Sequence, residues 1–189
     1  MKSWLFLFLF VPVLCFSQKE KGLGFQVGGG YLFYPGSSAD VHISAYDANP
    51  LKSGFTLELT ADKPVNSFLL LGPGVSFNSF SDLGAPYIPL FADIRVIGTG
   101  KFKLYSFLDP GYGIFHRHVA YTMTGSPEQT ASQSGGFYIA YGFGVIYKRV
   151  YLQAKYNWLR FTSDLPDGSG GKSSKAYGVG GISFGVRLP

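Results

Sequence analysis

Along most of this chain apolar and polar residues alternate one for one, the period of a strand whose two faces meet different surroundings. Near the C-terminal end, Val150, Leu152, Ala154, Tyr156 and Trp158 fall on one face, and Tyr151, Gln153, Lys155 and Asn157 on the other. Phe55, Leu57, Leu59 and Ala61 likewise oppose Thr56, Glu58 and Thr60, and Ile88, Leu90, Ala92, Ile94 and Val96 oppose Pro89, Phe91, Asp93 and Arg95. Eight segments read as strands, over 22–33, 54–61, 67–77, 87–97, 102–115, 136–147, 150–161 and 176–188, and no segment has helical periodicity. Most exceed the roughly 5 to 6 residues of a soluble strand and suit the roughly 9 to 11 of a tilted membrane strand.

The links between these segments alternate in length. Residues 34–53, 116–135 and 162–175 make long connections, 62–66, 98–101 and 148–149 make short ones, and 78–86 is intermediate. Short turns at one end and long loops at the other are how outer-membrane barrels are built, with the turns in the periplasm. An even number of strands returns both chain ends to the periplasmic side. Residues 40–45, where Val41, Ile43 and Ala45 alternate with His42 and Ser44, are read as a hairpin-like extension inside the first long loop. The expected fold is therefore all-β: an eight-stranded antiparallel up-and-down transmembrane β-barrel after an N-terminal signal peptide.

Alternation alone does not say which face is wet, because a soluble barrel around an apolar cavity has the same period. The ionisable groups decide it. Glu58, Asp93, Arg95, Lys103, Lys155 and Arg187 lie within or near strands and carry both signs. Facing lipid, each Lys or Arg near the midplane would cost about 2–4 kcal/mol; facing a narrow lumen, they neutralise one another. Eight strands leave an interior that side chains just fill, so the expected lumen is a packed polar plug. The aliphatic face then meets lipid, with Tyr31, Phe33, Phe55, Phe137, Tyr147 and Trp158 as interfacial girdles. Glycines inside the strands, such as Gly28, Gly30, Gly142 and Gly144, suit close approach and tight curvature.

Met1–Lys2–Ser3 and the uncharged run from Trp4 to Phe16 form a secretory signal, too short for a membrane helix. The expected domains are a signal peptide over 1–17, cleaved after Ser17, and an outer-membrane barrel over 18–189. Cys15, the single cysteine, lies in the signal, so the mature chain is read as free of thiols and disulfides. Leu14 before it disfavours lipoprotein processing, which prefers a small residue there. Losing Lys2 lowers the net charge from +5 to +4, and the basic residues form no run, which argues against nucleic acid as a partner.

Candidate chemistry is sparse. Gly28-Gly29-Gly30 and Gly72-Pro73-Gly74 lack the helix and lysine of a phosphate loop. His116 and His118, with His42 in another outer loop, have the spacing to share a metal ion or to supply a general base at the rim; solvated rim histidines are the default reading. No carboxylate stands within a few residues of the pair; Asp109 and Asp82 are the ones that could approach in space. Asp93 with Arg95, and Glu58 with Lys155, could in the abstract do acid-base work, but mixed-sign groups in a sealed lumen are read as structural pairs, and the sequence does not fix which partner meets which. No catalytic, metal or cofactor site is expected.

Leu69-Leu70-Leu71-Gly72-Pro73-Gly74-Val75, Tyr87 to Arg95, Gly111-Tyr112-Gly113 and Gly142-Phe143-Gly144-Val145 resemble the small outer-membrane β-barrel domain proteins frequent in Bacteroidota. The resemblance covers nearly the whole mature chain and implies a location and an architecture, not a reaction. Such barrels usually end in an aromatic residue; this sequence ends Arg187-Leu188-Pro189, with Phe184 and Val186 in the lipid-facing period. The function read from the sequence is a non-enzymatic, monomeric outer-membrane protein of a Gram-negative cell, touching lipid and, through its outer loops, surface ligands. The competing readings are a lipid A acyl hydrolase or transferase using the rim histidines, a narrow channel, and a soluble lipocalin-like binder.

Overall fold

The structure, a computed structural model, describes residues 22–34, 53–81, 83–121, 129–164 and 171–188. The expected signal segment with its cut after Ser17, Cys15, and residues 40–45 with His42 lie outside the described residues. Among the described residues nine strands follow one another: β1 (Gly24–Phe33), β2 (Gly54–Pro64), β3 (Leu69–Phe80), β4 (Ile88–Ile97), β5 (Phe102–Ile114), β6 (His116–Tyr121), β7 (Gln129–Tyr147), β8 (Val150–Asp164) and β9 (Lys172–Leu188). Every pairing is antiparallel, and β1 pairs with β9. Both β5 and β6 pair with β7, so they are two parts of one stave interrupted at Phe115. The result is a closed barrel of eight staves, as the alternation predicted, without a free sheet edge along its wall.

The interruption has a local cause. Gly135 and Gly136, both buried, sit where the β7 register shifts between Gly135 and Tyr138. This is a bulge, which bends a strand and increases its twist. The Gly135 amide donates to the Phe115 carbonyl at 2.9 Å. Beyond this bend β6 and β7 continue as a hairpin whose β7 arm still pairs with β8 at Gln133 and Ser134.

That hairpin corrects the expected loop 116–135. His116–Tyr121 pairs with Gln129–Ser134, and only 122–128 lies outside the described residues. Likewise, the expected loop 162–175 is strand through Asp164 and again from Lys172. Both faces of such extensions meet water, so no apolar alternation marks them in the sequence. The short links are tight. Asn66 Oδ1 accepts from the Phe68 and Leu69 amides at 3.0 and 2.8 Å, an Asx turn, and Lys148 takes a φ of 56° in the two-residue turn to β8.

The outward face is apolar on every stave, with Val27, Leu59, Phe77, Val96, Leu104, Phe143, Leu152 and Phe184 all exposed. Phe143 is 70% and Leu104 69% exposed, values that place whole side chains outside the wall. Aromatics gather toward the ends. Phe102 stacks on Tyr147 with centroids 4.7 Å apart at the short-turn end, and Phe55 meets Phe77 at 6.1 Å at the long-loop end. Tyr31, Phe33, Phe137 and Trp158 also point outward, as expected of girdle residues.

Candidate functional site

The inward face begins with residues the alternation placed there. Thr56, Asp93, Arg95, Gln153, Lys155 and Asn157 are buried, whereas their immediate chain neighbours Phe55, Leu57, Val96, Leu152 and Trp158 are exposed. Lys103 keeps the inward parity but is exposed, at a depression in the short-turn end that Lys148 and Arg187 also line.

Among the described residues three ion pairs organise the interior. Lys155 on β8 meets Glu58 on β2, two strands that do not pair, so the contact crosses the lumen. Gln153 Nε2 also donates to Glu58 Oε2 at 2.7 Å, and Tyr105 donates to Gln153 Oε1 at 2.9 Å. Arg187 on β9 reaches Asp62 on β2 at 2.8 Å, and Gln26 Nε2 donates to the other Asp62 oxygen at 2.8 Å. Arg95 lies 3.2 Å from Asp93 on its own strand and stacks over Tyr105 at 4.7 Å and Phe107 at 5.8 Å. Asp109 is buried beside Asp93 and Arg95. The carboxylates of Glu58 and Asp62 accept further hydrogen bonds from Gln153 and Gln26, and Arg95 gains two rings, conditions under which a buried pair is tolerated. Asp93 Oδ2, Asp109 Oδ1 and the Nε and Nη1 of Arg95, by contrast, are buried without a hydrogen-bond partner among the described residues.

The sequence reading put Asp93, Arg95, Glu58, Lys155 and Arg187 in the lumen without fixing partners; the structure pairs Asp93 with Arg95 and Glu58 with Lys155. Asp62 with Arg187 was missed, because Asp62 was placed in a turn rather than on the continuing strand.

Toward the long-loop end the interior changes character. Leu32, Phe80, Tyr87, Phe91, Phe115, Tyr138, Leu159, Phe161 and Val179 form one buried cluster. Tyr87 lies 5.1 Å from Phe161 and Phe115 meets Phe161 edge-on at 5.0 Å, favoured aromatic geometries. Tyr138 spends its hydroxyl on Asn157 Oδ1 at 3.0 Å. Glycine makes room for these rings: a Cβ at Gly113 would collide with the Tyr87 ring, and one at Gly74 with Phe91. The interior was expected to be polar throughout; its upper part is aromatic. The alternation did not distinguish the two because aromatic rings occur on both faces of these strands.

The rim histidines lie on β6, on the outward face above Ile114 and Tyr112. Their Nε2 atoms are 3.3 Å apart. Arg117 between them turns inward, donating from Nε to Gln133 Oε1 at 2.7 Å and from Nη1 to the Leu83 carbonyl at 2.9 Å. Partial burial lowers the Arg117 pKa from its ordinary value, offset in part by Tyr177, and a guanidinium stays charged at neutral pH. The structure does not bring Asp109 to the histidines: it is buried on the lumen face of β5, while they project outward from the hairpin. Asp82 lies outside the described residues. Ser134, opposite His116, donates its hydroxyl to the Thr162 carbonyl at 3.4 Å. Among the described residues no group of three or more His, Cys, Asp or Glu is placed to hold a metal.

No known family model matches the chain, and no characterised protein matches it in sequence. Solved structures of similar shape include Neisserial surface protein A, at 15% identity over 89% of this chain and 97% of that one, with a TM-score of 0.49. The attachment invasion locus protein Ail of Yersinia pestis, crystallised with the heparin analogue sucrose octasulfate, is 17% identical over 88% and 99%, with a TM-score of 0.46. The outer membrane protein OprG of Pseudomonas aeruginosa is 13% identical over 90% and 98%, with a TM-score of 0.42.

Proposed function

We propose that the mature chain is a monomeric barrel spanning the outer membrane of a Gram-negative bacterium, of the small kind frequent in Bacteroidota. Its role is structural or surface-binding, neither catalytic nor conducting. The observation that carries this reading is the outward apolar face present on all eight staves. Soluble monomers rarely expose a contiguous apolar patch beyond a few hundred Å², whereas lipid meets such a face without cost. The segment 1–17 supplies export, with cleavage after Ser17, and the four motifs shared with the Bacteroidota barrels all fall on or beside wall strands, in β3, β4, β5 and β7. The polar hairpin β6–β7 and the outer connections then face the exterior, where surface ligands are met.

The contents of the lumen support reading it as closed. Glu58–Lys155 crosses its lower half and the Tyr87 cluster occupies the upper half, contents that would leave a hydrated ion no continuous polar path. In planar lipid bilayers the purified protein is expected to give no discrete conductance steps. Reproducible stepwise openings would replace this reading with the channel.

A further inference from the structure

The outer hairpin carries a pair of imidazoles that a purely structural barrel leaves unused. His116 and His118 stand two residues apart on extended backbone, so both side chains leave the same face of β6. Both are exposed. Their Nε2 atoms are 3.3 Å apart and their rings lie at 89° to one another. The intervening Arg117 directs its charge to the opposite face, onto Gln133 and the Leu83 carbonyl. The facing β7 residues, Ser134 and Ser132, are uncharged.

That spacing has a chemical meaning. Two imidazole nitrogens bound to one Zn²⁺ at about 2.0–2.1 Å and a tetrahedral angle stand about 3.3 Å apart. A cis pair in a square plane at about 2.0 Å would stand about 2.8 Å apart, so the geometry matches the tetrahedral metal. The backbone beneath is fixed by pairing from His116↔Ser134 to Tyr121↔Gln129, which limits the ordering that binding requires. We propose that His116 and His118 form a two-histidine site for Zn²⁺ on the outer hairpin, the remaining positions being open to solvent or to a ligand from outside. Without metal, one ring donates its Nε2 proton to the other; with metal, that ring shifts its proton from Nε2 to Nδ1, so that both Nε2 lone pairs turn on the ion and each ring carries its proton on Nδ1.

The test is calorimetric titration of Zn²⁺ into untagged, micelle-folded protein at neutral pH. It is run in a His42→Ala background, which removes the third histidine of the chain. One Zn²⁺ per chain is expected, with affinity falling at least about tenfold in His116→Ala and equally in His118→Ala, because each removes one arm of a chelate. The conservative His118→Gln variant, which keeps a polar side chain on the strand, is expected to lose the same affinity, and the heat-dependent gel mobility of each variant reports its folding. Tetrahedral Co²⁺, bound in place of Zn²⁺, is expected to show intense visible absorption that both alanine variants abolish. Zn²⁺ affinity unchanged in a folded His116→Ala variant, or two equal weak sites each lost with one histidine, would overturn the proposal.

Discussion

Replacing Lys155 by methionine is expected to destabilise the barrel by about 3–5 kcal/mol, because it leaves Glu58 buried without its cation. Methionine keeps most of the side-chain volume, so the loss reads the charge and not a cavity. Gln153 still donates to Glu58 in this variant, but a neutral amide does not neutralise a carboxylate, and the side chain of Glu58 is only 11% exposed. Adding Glu58→Gln removes the stranded charge, and the double variant is expected to recover most of the loss. Urea unfolding in detergent micelles measures both. A Lys155→Met variant as stable as the parent would mean that water reaches Glu58 and that the interior is not sealed around this pair.

Leu59→Arg is expected to cost about 2–4 kcal/mol in a lipid environment, the penalty for arginine near the bilayer midplane. Leu59 is 45% exposed and pairs with Val27 and Val75 in the neighbouring strands, so the new charge would stand inside an apolar band. In a water-soluble barrel the same exposed position would tolerate arginine within about 0.5 kcal/mol. The substitution therefore separates a lipid-facing wall from a water-facing one by a margin well beyond measurement error. Folding into phospholipid vesicles, followed by denaturant unfolding, supplies the number.

The wall was legible in the sequence because lipid and lumen impose opposite demands on successive residues. In β8 the demand holds from Leu152 to Trp158; beyond it the apolar Leu159 and Phe161 turn inward and Arg160 outward, where the interior becomes aromatic. Where both faces meet water the signal fades, which is why Gln129–Ser134 and the paired ends of β8 and β9 passed as loop. The lumen was only partly legible. Asp93 and Arg95 are two residues apart on one strand, so their meeting needs no knowledge of closure. Glu58 and Lys155 were a plausible match of opposite charges, but their contact depends on the curvature that brings β2 across from β8. Arg187 with Asp62 depends in addition on β2 continuing past Ala61.

The histidine pair shows the same limit from another side. Spacing put His116 and His118 on one face only if the backbone there is extended, and the expected loop left that open. Paired β structure fixes it, and with it the 3.3 Å between their Nε2 atoms. The aromatic cluster around Tyr87 was hidden for a different reason. Tyr87 joins β3 through a bridge to Asn78, outside the strands themselves, and its partners Phe115, Tyr138 and Phe161 come from three other segments.

The central claim, a closed barrel whose apolar outer face lies in the outer membrane, is tested most directly by fractionating expressing cells. Boiled and unboiled detergent extracts of each fraction are then compared by gel electrophoresis. Recovery in the outer membrane, with a mobility that changes on boiling, is the predicted result. Recovery in the soluble periplasmic fraction, without detergent and without a mobility shift, would contradict it.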